Sequence, residues 1–441
     1  MTTEIRDRIL AEFAHVAPLL PGARLPRVAR ARKAALERFV EHGFPTTRAE
    51  DWKYTSLEAM KKQSFAVLPR GCAGVTATQV RALGYGGGTS HLLVFVNGWY
   101  VPAFSSLGPL PAGVVAGSLA DVLDNAPEML ESFLVGESDE TVFGALNAAF
   151  MTDGAFVHLP AGAALEEPVQ LLFIATESAA AIYPRNVIVA DQGARASVIE
   201  HYIGPTAAAY FTNAVTRIVA GGNAAIEHYK LQQEGQQAAH VAGIHVAQGR
   251  DSRLVSHSIA LGAALARNDI ATNFAAQGCQ AQLNGLYLAG GRQHVDHHTR
   301  VDHSKPGGMS REHYRGILDG GSRAVFNGRV IVHKDAQRSD AHQDNHNLLL
   351  SKDAEVDTKP QLEIYADDVK CTHGATVGSL DEAQMFYLRS RGIQEATAKS
   401  LLVYAFAHDV IERVRLSPLR NRIRNALLHR LPQPDRIKEL A

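Results

Sequence analysis

The stretch VKCTHGAT, residues 369–376, sets a thiol two positions before an imidazole. In an extended chain residues i and i+2 project to the same side, so Cys371 and His373 would face one common space. A thiolate and an imidazole are adequate ligands for iron or zinc. A protonated imidazole beside the sulfur would also lower the thiol pKa and raise its reactivity. Against both stands the ordinary behaviour of a single buried cysteine, an inert small hydrophobe, and spacing alone favours that plain reading. One Cys and one His fill at most two positions of a four-ligand site. A metal or cluster here therefore needs ligands from a second chain.

A second concentration of polar chemistry runs from His294 to His346, through HVDHHTRVDHSKPGGMSREHYRGIL and VHKDAQRSDAHQDNHN. Along 294–303, strand alternation puts His294, Asp296, His298, Arg300 and Asp302 on one face. Imidazole and carboxylate together bind zinc or iron. No finger spacing and no H-E-x-x-H is present, and the interleaved Asp, Arg and Lys fit a hydrogen-bonded ladder on a stacked sheet better than a metal centre. No G-x-x-x-x-G-K-[ST] loop occurs, and no G-x-S-x-G elbow, which excludes a Walker-type ATP site and a serine hydrolase of that fold.

These residues need elements to hold them. The 441-residue chain is too long for one core and fits two or three domains. Its 44 basic and 45 acidic side chains give a formal net charge of −1, which argues against nucleic acid or an anionic membrane as partner. Three cysteines, at 72, 279 and 371, form no C-x-x-C pair and point to a reducing compartment rather than a disulfide framework. The N-terminus carries acidic residues in place of an apolar run, and no segment reaches membrane-span length. A cytoplasmic location is the expectation.

Residues 1–152 read as a helical and mixed region. Ile5, Ile9, Phe13 and Val16 form one helical stripe, and a second helix runs from about Pro26 to His42 with Gly43 after its end. HLLVFVNGWYV, 91–101, is a strand–turn–strand with Asn97-Gly98 suited to a turn of two positive φ angles. Residues 153–380 change texture. Short aliphatic alternations are broken by Gly193, Gly222, Gly249 and Gly278, and Glu-His-Tyr appears at both 200–202 and 227–229. A repeated unit that cannot bury its own apolar face must stack on its neighbours, so a mainly β protein is predicted, with a parallel β-helix core the best fit and a β-sandwich built of hairpin pairs the alternative. The apolar phase flips across Asp367-Asp368, which marks a corner before a new short strand holding Cys371 and His373. Residues 381–441 are helical again, with Leu402, Val403, Phe406, Val410 and Val414 on one side and a basic last helix carrying Arg420, Arg422, Arg424 and Arg430.

The strings RVDHSKPGGMSREHYRGILDGGSRAVFNGRVIV and AHQDNHNLLLSKDAEVDTKPQLEIYADDVKCTHGATVGSLDEAQMFYLRSRGI resemble the SufB/SufD family of the SUF system, which helps assemble iron–sulfur clusters. The likeness spans roughly 145–415. It is nearer the SufD branch than the SufB branch. RAEDWKYTSL, 48–57, resembles SufD, and His373-Gly374 stands where SufB typically has a His-Glu pair.

The resemblance implies a right-handed parallel β-helix flanked by N- and C-terminal helical segments. It implies a scaffold rather than an enzyme, pairing with SufB through the β-helix and docking the ATPase SufC through the C-terminal helices, where Leu402, Phe406, Val410, Arg420 and Arg424 are the expected contacts. A nascent iron–sulfur cluster would form transiently at the SufB–SufD interface, held from this side by His373 with Cys371 beside it, and no cofactor would be bound permanently by this chain alone. A homodimer is expected where SufB is absent. A β-helical metalloenzyme using the 294–303 histidines, and a purely structural interaction module, are the competing readings.

Overall fold

Aliphatic runs with a period of two, each ended by Gly, Asn or Asp, cannot close a core singly, and here they stack. The structure, a computed structural model, describes residues 3–71, 74–85, 91–130, 133–134 and 140–433. Cys72 lies outside the described residues. The chain winds as a parallel β-solenoid of about eight turns, and each coil gives one strand to each of two ten-stranded sheets. One sheet runs from the hairpin strand His91–Val96 through Val169–Ile174, Arg195–Ile203 and later coils to Ser339–Leu349 and finally Val369–Gly378. The other ends in His294–His303, Arg323–Val332 and Glu355–Ile364. The predicted hairpin is present, with Asn97 at φ 49° and Gly98 at φ 85°. Its first strand adds directly to the solenoid sheet, parallel to Val169–Ile174.

The predicted coil turns fall where the glycines stand, with one refinement. Gly193 and Gly278 take positive φ themselves, at 71° and 73°, whereas beside Gly222 and Gly249 the left-handed residues are Asn223 and Asp251. Asn and Asp tolerate that region through local side-chain hydrogen bonds. The Glu-His-Tyr repeat, in contrast, is not a structural repeat. Glu227 pairs across with Ser197, and Glu200 with Lys230. The two tripeptides are offset by three positions, an odd number, so they show opposite faces. Glu200 and Tyr202 point into the lumen, and Glu227 is partly solvent-exposed.

The lumen is apolar in part, with Phe95, Phe173 and Tyr202 stacked at centroid distances of 4.8 and 4.7 Å. It also holds charges. Glu200, fully buried, accepts from Thr216 at 2.5 Å, Tyr202 at 2.6 Å and His228 at 3.0 Å. Burial alone would push this carboxyl up, but those partners outweigh it and hold it down at about 2. Glu312 is the opposite case. It accepts only at one oxygen, from Thr299 at 2.5 Å and Gln343 at 3.1 Å, and burial wins, pushing it up to about 7. Glu312 thus takes up a proton on folding between its ordinary value of 4.5 and about 7, and stability falls as pH rises through that window. Glu312→Gln should abolish this component. The wild-type chain should lose about 3 kcal/mol relative to the variant between pH 4.5 and pH 8. Denaturant midpoints of the two chains at those pH values measure it, and parallel pH curves would refute it.

Helices cap the flanks. Pro26–His42 begins on a proline, which suits the first turn, and ends at Gly43 with φ 66°. Its buried Arg32 donates to the carbonyls of Ala149, Met151 and Pro21 at 3.0, 3.0 and 2.8 Å. Those bonds tie the helix to the segment entering the solenoid. At the other end Glu395–Ile411 and Ser417–Leu428 lay Val403, Ala407, Val410, Ile411, Leu419 and Ile423 against Ile259, Leu286, Leu288 and Ile317 of the first sheet.

Candidate functional site

The strand Val369–Gly378 is ten residues long rather than short, and it follows the corner predicted at Asp367-Asp368. It pairs with Ser339–Leu349 on one side and closes its sheet on the other, just as Glu355–Ile364 closes the second sheet. Both sheets therefore stop at the same end of the solenoid, and two strand edges are left unpaired among the described residues. An open edge of this kind is a template for pairing with another chain. Ile364, Tyr365 and Val377 stand exposed there at 42, 61 and 48%.

Register fixes the orientation of the two candidate ligands. Cys371 lies opposite Ala341 and His373 opposite Gln343, and both partners are buried lumen residues. Cys371 and His373 therefore share the inward face, as the alternation predicts. They sit on the last coil, where no further coil covers them. Cys371 is half-buried against the end of the core and is not in a disulfide. His373 is exposed. Burial pushes the Cys371 thiol up, and the nearby Asp340 carboxylate adds to this against a hydrogen bond with the Ala341 backbone. The lowering of the thiol pKa anticipated from a neighbouring imidazolium is not found, and burial leaves the thiol raised. A thiol raised in this way would bind a metal only by losing its proton on binding, not as a thiolate already free.

The 294–303 array is brought together and then closed. The Asp296 carboxylate accepts from Arg267 at 2.8 Å and from Thr55 at 2.6 Å, with His298 at 3.0 Å. Thr55 also meets His294 at 2.9 Å. The Arg267 guanidinium lies 3.8 Å from the Trp52 ring centroid. Burial would raise Asp296, but the Arg267 charge and His298 hold it well below the carboxylate range. The place a cation would take is filled by an arginine. This is the polar ladder of the sequence reading, and the metalloenzyme alternative loses its site. The same contacts explain RAEDWKYTSL, whose Trp52 and Thr55 fasten the N-terminal region to the solenoid wall.

The C-terminal residues divide. Leu402 and Phe406 are half-buried, with the Arg315 guanidinium 5.7 Å from the Phe406 ring centroid. Val410 is fully buried in the helix–sheet core and serves there as packing rather than as a contact surface, which corrects the expectation for that residue. Arg420 and Arg424 lie 3.8 and 2.9 Å from Glu412, and Arg422 donates to the Ala82 carbonyl. The basic face is thus largely engaged within the chain. Sequence reasoning reads a short helix over 381–392 but gives it no contact role; the helix Glu382–Ser390 has no buried residue at all. Phe386 is 74% and Tyr387 58% exposed. The signal was legible: two adjacent aromatics on a short helix point about 100° apart, so one packed face does not cover both.

Comparison with known proteins agrees along most of the chain. Residues 173–406 match the SUF system FeS cluster assembly SufBD core domain, and residues 6–171 match the SufBD protein N-terminal region. The iron–sulfur cluster assembly protein SufD of Escherichia coli is 34% identical over 401 residues, covering 90% of this chain and 92% of that protein. An iron–sulfur cluster assembly SufBD family protein of Synechocystis is 33% identical, covering 87% of this chain and 86% of its own length. SufD of Bacillus subtilis is 26% identical over 70% of this chain.

Proposed function

This chain belongs to the SufBD family of iron–sulfur cluster assembly proteins, on its SufD side, and from that premise we propose that it is a non-enzymatic scaffold subunit. It pairs with SufB through the open end of the solenoid. A nascent cluster forms transiently at that joint, with His373 and Cys371 as this chain's ligands. The carrying observation is the pair's position on the last, uncovered strand, Val369–Gly378. Ring nitrogen and thiolate suit iron, and two ligands are too few for one cluster, so a second subunit completes the set. The exposed Ile364, Tyr365 and Val377 around the pair supply apolar area for that joint. SufC docks on the C-terminal helical region, and the uncovered helix Glu382–Ser390 is its central contact, with Leu402 and Phe406 beside it.

Co-expression with SufB and SufC, anaerobic purification and measurement of iron and acid-labile sulfide test this reading. The expected result is a three-component complex that carries both elements, with the isolated chain carrying neither and pairing with itself through the same edge. A chain that loads iron and sulfide fully without SufB would overturn the interface reading.

A further inference from the structure

His373 stands at the head of a column of inward-facing side chains. In the register of the first sheet it lies opposite Gln343, and Gln343 lies opposite Glu312. Adjacent strands run about 4.8 Å apart, so in-register side chains on one face are immediate neighbours. Gln343 and Glu312 are fully buried in the lumen, whereas His373 is exposed on the last strand. Cys371 has no such neighbour, since it lies opposite Ala341, whose side chain offers no hydrogen bond.

The middle member of the column is held at one end only. Gln343 Nε2 donates to Glu312 Oε2 at 3.1 Å, and Thr299 Oγ1 donates to the same oxygen at 2.5 Å. That oxygen accepts whether Glu312 is ionised or carries its proton on Oε1, which has no partner among the described residues. Gly328, on the second sheet, makes room for the amide. A Cβ there would overlap Gln343 Nε2 and stand 2.6 Å from its Cδ. The other end of the amide is different. Gln343 Oε1 is buried and has no hydrogen-bond partner among the described residues, although buried polar atoms in folded proteins are nearly all paired. An amide presents its oxygen and its nitrogen in diverging directions. Committing the nitrogen to Glu312 therefore turns the oxygen away from that coil, and the next coil places His373 at this position.

We propose that Gln343 is the positioning residue of His373. Its Oε1 accepts the N–H of one ring nitrogen and so turns the other nitrogen outward, toward the subunit that closes this end of the solenoid. A metal-binding imidazole almost always donates its second ring N–H to an oxygen, which fixes tautomer and orientation together. Here the support is layered: Thr299 and Gly328 set Glu312 and Gln343, and Gln343 sets His373. The ring swings onto Gln343 when the partner covers the last strand and displaces the water that an exposed imidazole otherwise binds. Gln343 itself touches no cargo and acts only through His373. The assignment rests on the function proposed above and supplies the inner half of that site.

Two measurements test it, both on the complex co-expressed with SufB and SufC. The first is anaerobic titration with ferrous iron. Gln343→Met keeps the length of the side chain and removes both polar ends. It should weaken iron binding about 10- to 100-fold, with all three subunits recovered in unchanged yield. In a His373→Ala background the same substitution should cost nothing further, an outcome that a merely structural role does not produce. The second measurement needs no iron. With isotope-labelled histidine in this chain alone, nuclear magnetic resonance reads the ring nitrogens, and the His373 signal is the one missing in His373→Ala. The wild-type complex should show a single His373 tautomer, and Gln343→Met a mixture of both. If Gln343→Met does not fold, the wild-type tautomer decides. Unchanged iron binding in Gln343→Met, an added loss in the double variant, or mixed tautomers in the wild type would each overturn the positioning role, and the scaffold reading survives them as long as His373→Ala still loses iron. Wild-type iron binding in His373→Ala would instead overturn that reading and this assignment with it.

Discussion

His373→Ala should strip iron and sulfide from the co-purified complex by about tenfold or more, while the chain folds and recovers its partners as before. The two halves of that result have separate causes. His373 is exposed on a terminal strand, and truncating an exposed side chain away from core, caps and buried networks changes stability by about 0.5 kcal/mol or less. Strand pairing at the open edge uses backbone groups, which the substitution leaves in place. On the proposed function, however, the cluster would lose one of two ligands from this chain, and even outer groups of a metal site are worth about 10–100-fold in metal affinity. Cys371→Ser is the instructive companion. Cys371 packs on the end of the core and its thiol is pushed up by burial, so that variant mixes a packing loss with a ligand loss. Iron and sulfide content per complex, measured beside the yield of each subunit, separates these effects. A His373→Ala complex that carries its full load would remove this imidazole from the assembly chemistry.

How far such residues can be read without coordinates depends on what the signal encodes. Strand periodicity and turn glycines encode backbone shape. The solenoid, the hairpin at Asn97-Gly98 and the shared face of Cys371 and His373 were therefore legible, even where the left-handed turn residue moved to Asn223 or Asp251. Partner identity is not encoded locally. Nothing within 294–303 tells that Arg267, from the preceding coil, enters beside Asp296, or that Thr55 arrives from the N-terminal region. The Glu-His-Tyr pair misled because identical strings three positions out of register face opposite ways. Val410 misled because an apolar helical stripe marks what is buried without saying whether another subunit or the chain's own sheet does the burying.

The substitutions Phe386→Asp and Tyr387→Asp together should abolish co-purification of the ATPase while the solenoid and its pairing with SufB persist. No residue of Glu382–Ser390 is buried, and Asp381 caps it through the Ala383 N–H at 2.8 Å. Charging its exposed surface removes no buried side chain and chiefly gives up the Arg391 guanidinium that lies 5.3 Å from the Tyr387 ring centroid. Large aromatics left side by side at 74 and 58% exposure are of the type that anchors protein interfaces. Removing one such anchor typically costs about 2 kcal/mol or more of binding, and two together about 4, a loss of roughly a thousandfold in affinity. Arg420→Ala and Arg424→Ala offer the contrast. Both arginines already pair with Glu412, and half-exposed pairs of that kind contribute about 0 to 1 kcal/mol, so the ATPase should still co-purify with either variant. If the doubly charged helix retains the ATPase and the arginine variants lose it, docking runs along the last helix, as the basic pattern first suggested, and the aromatics of Glu382–Ser390 serve another partner.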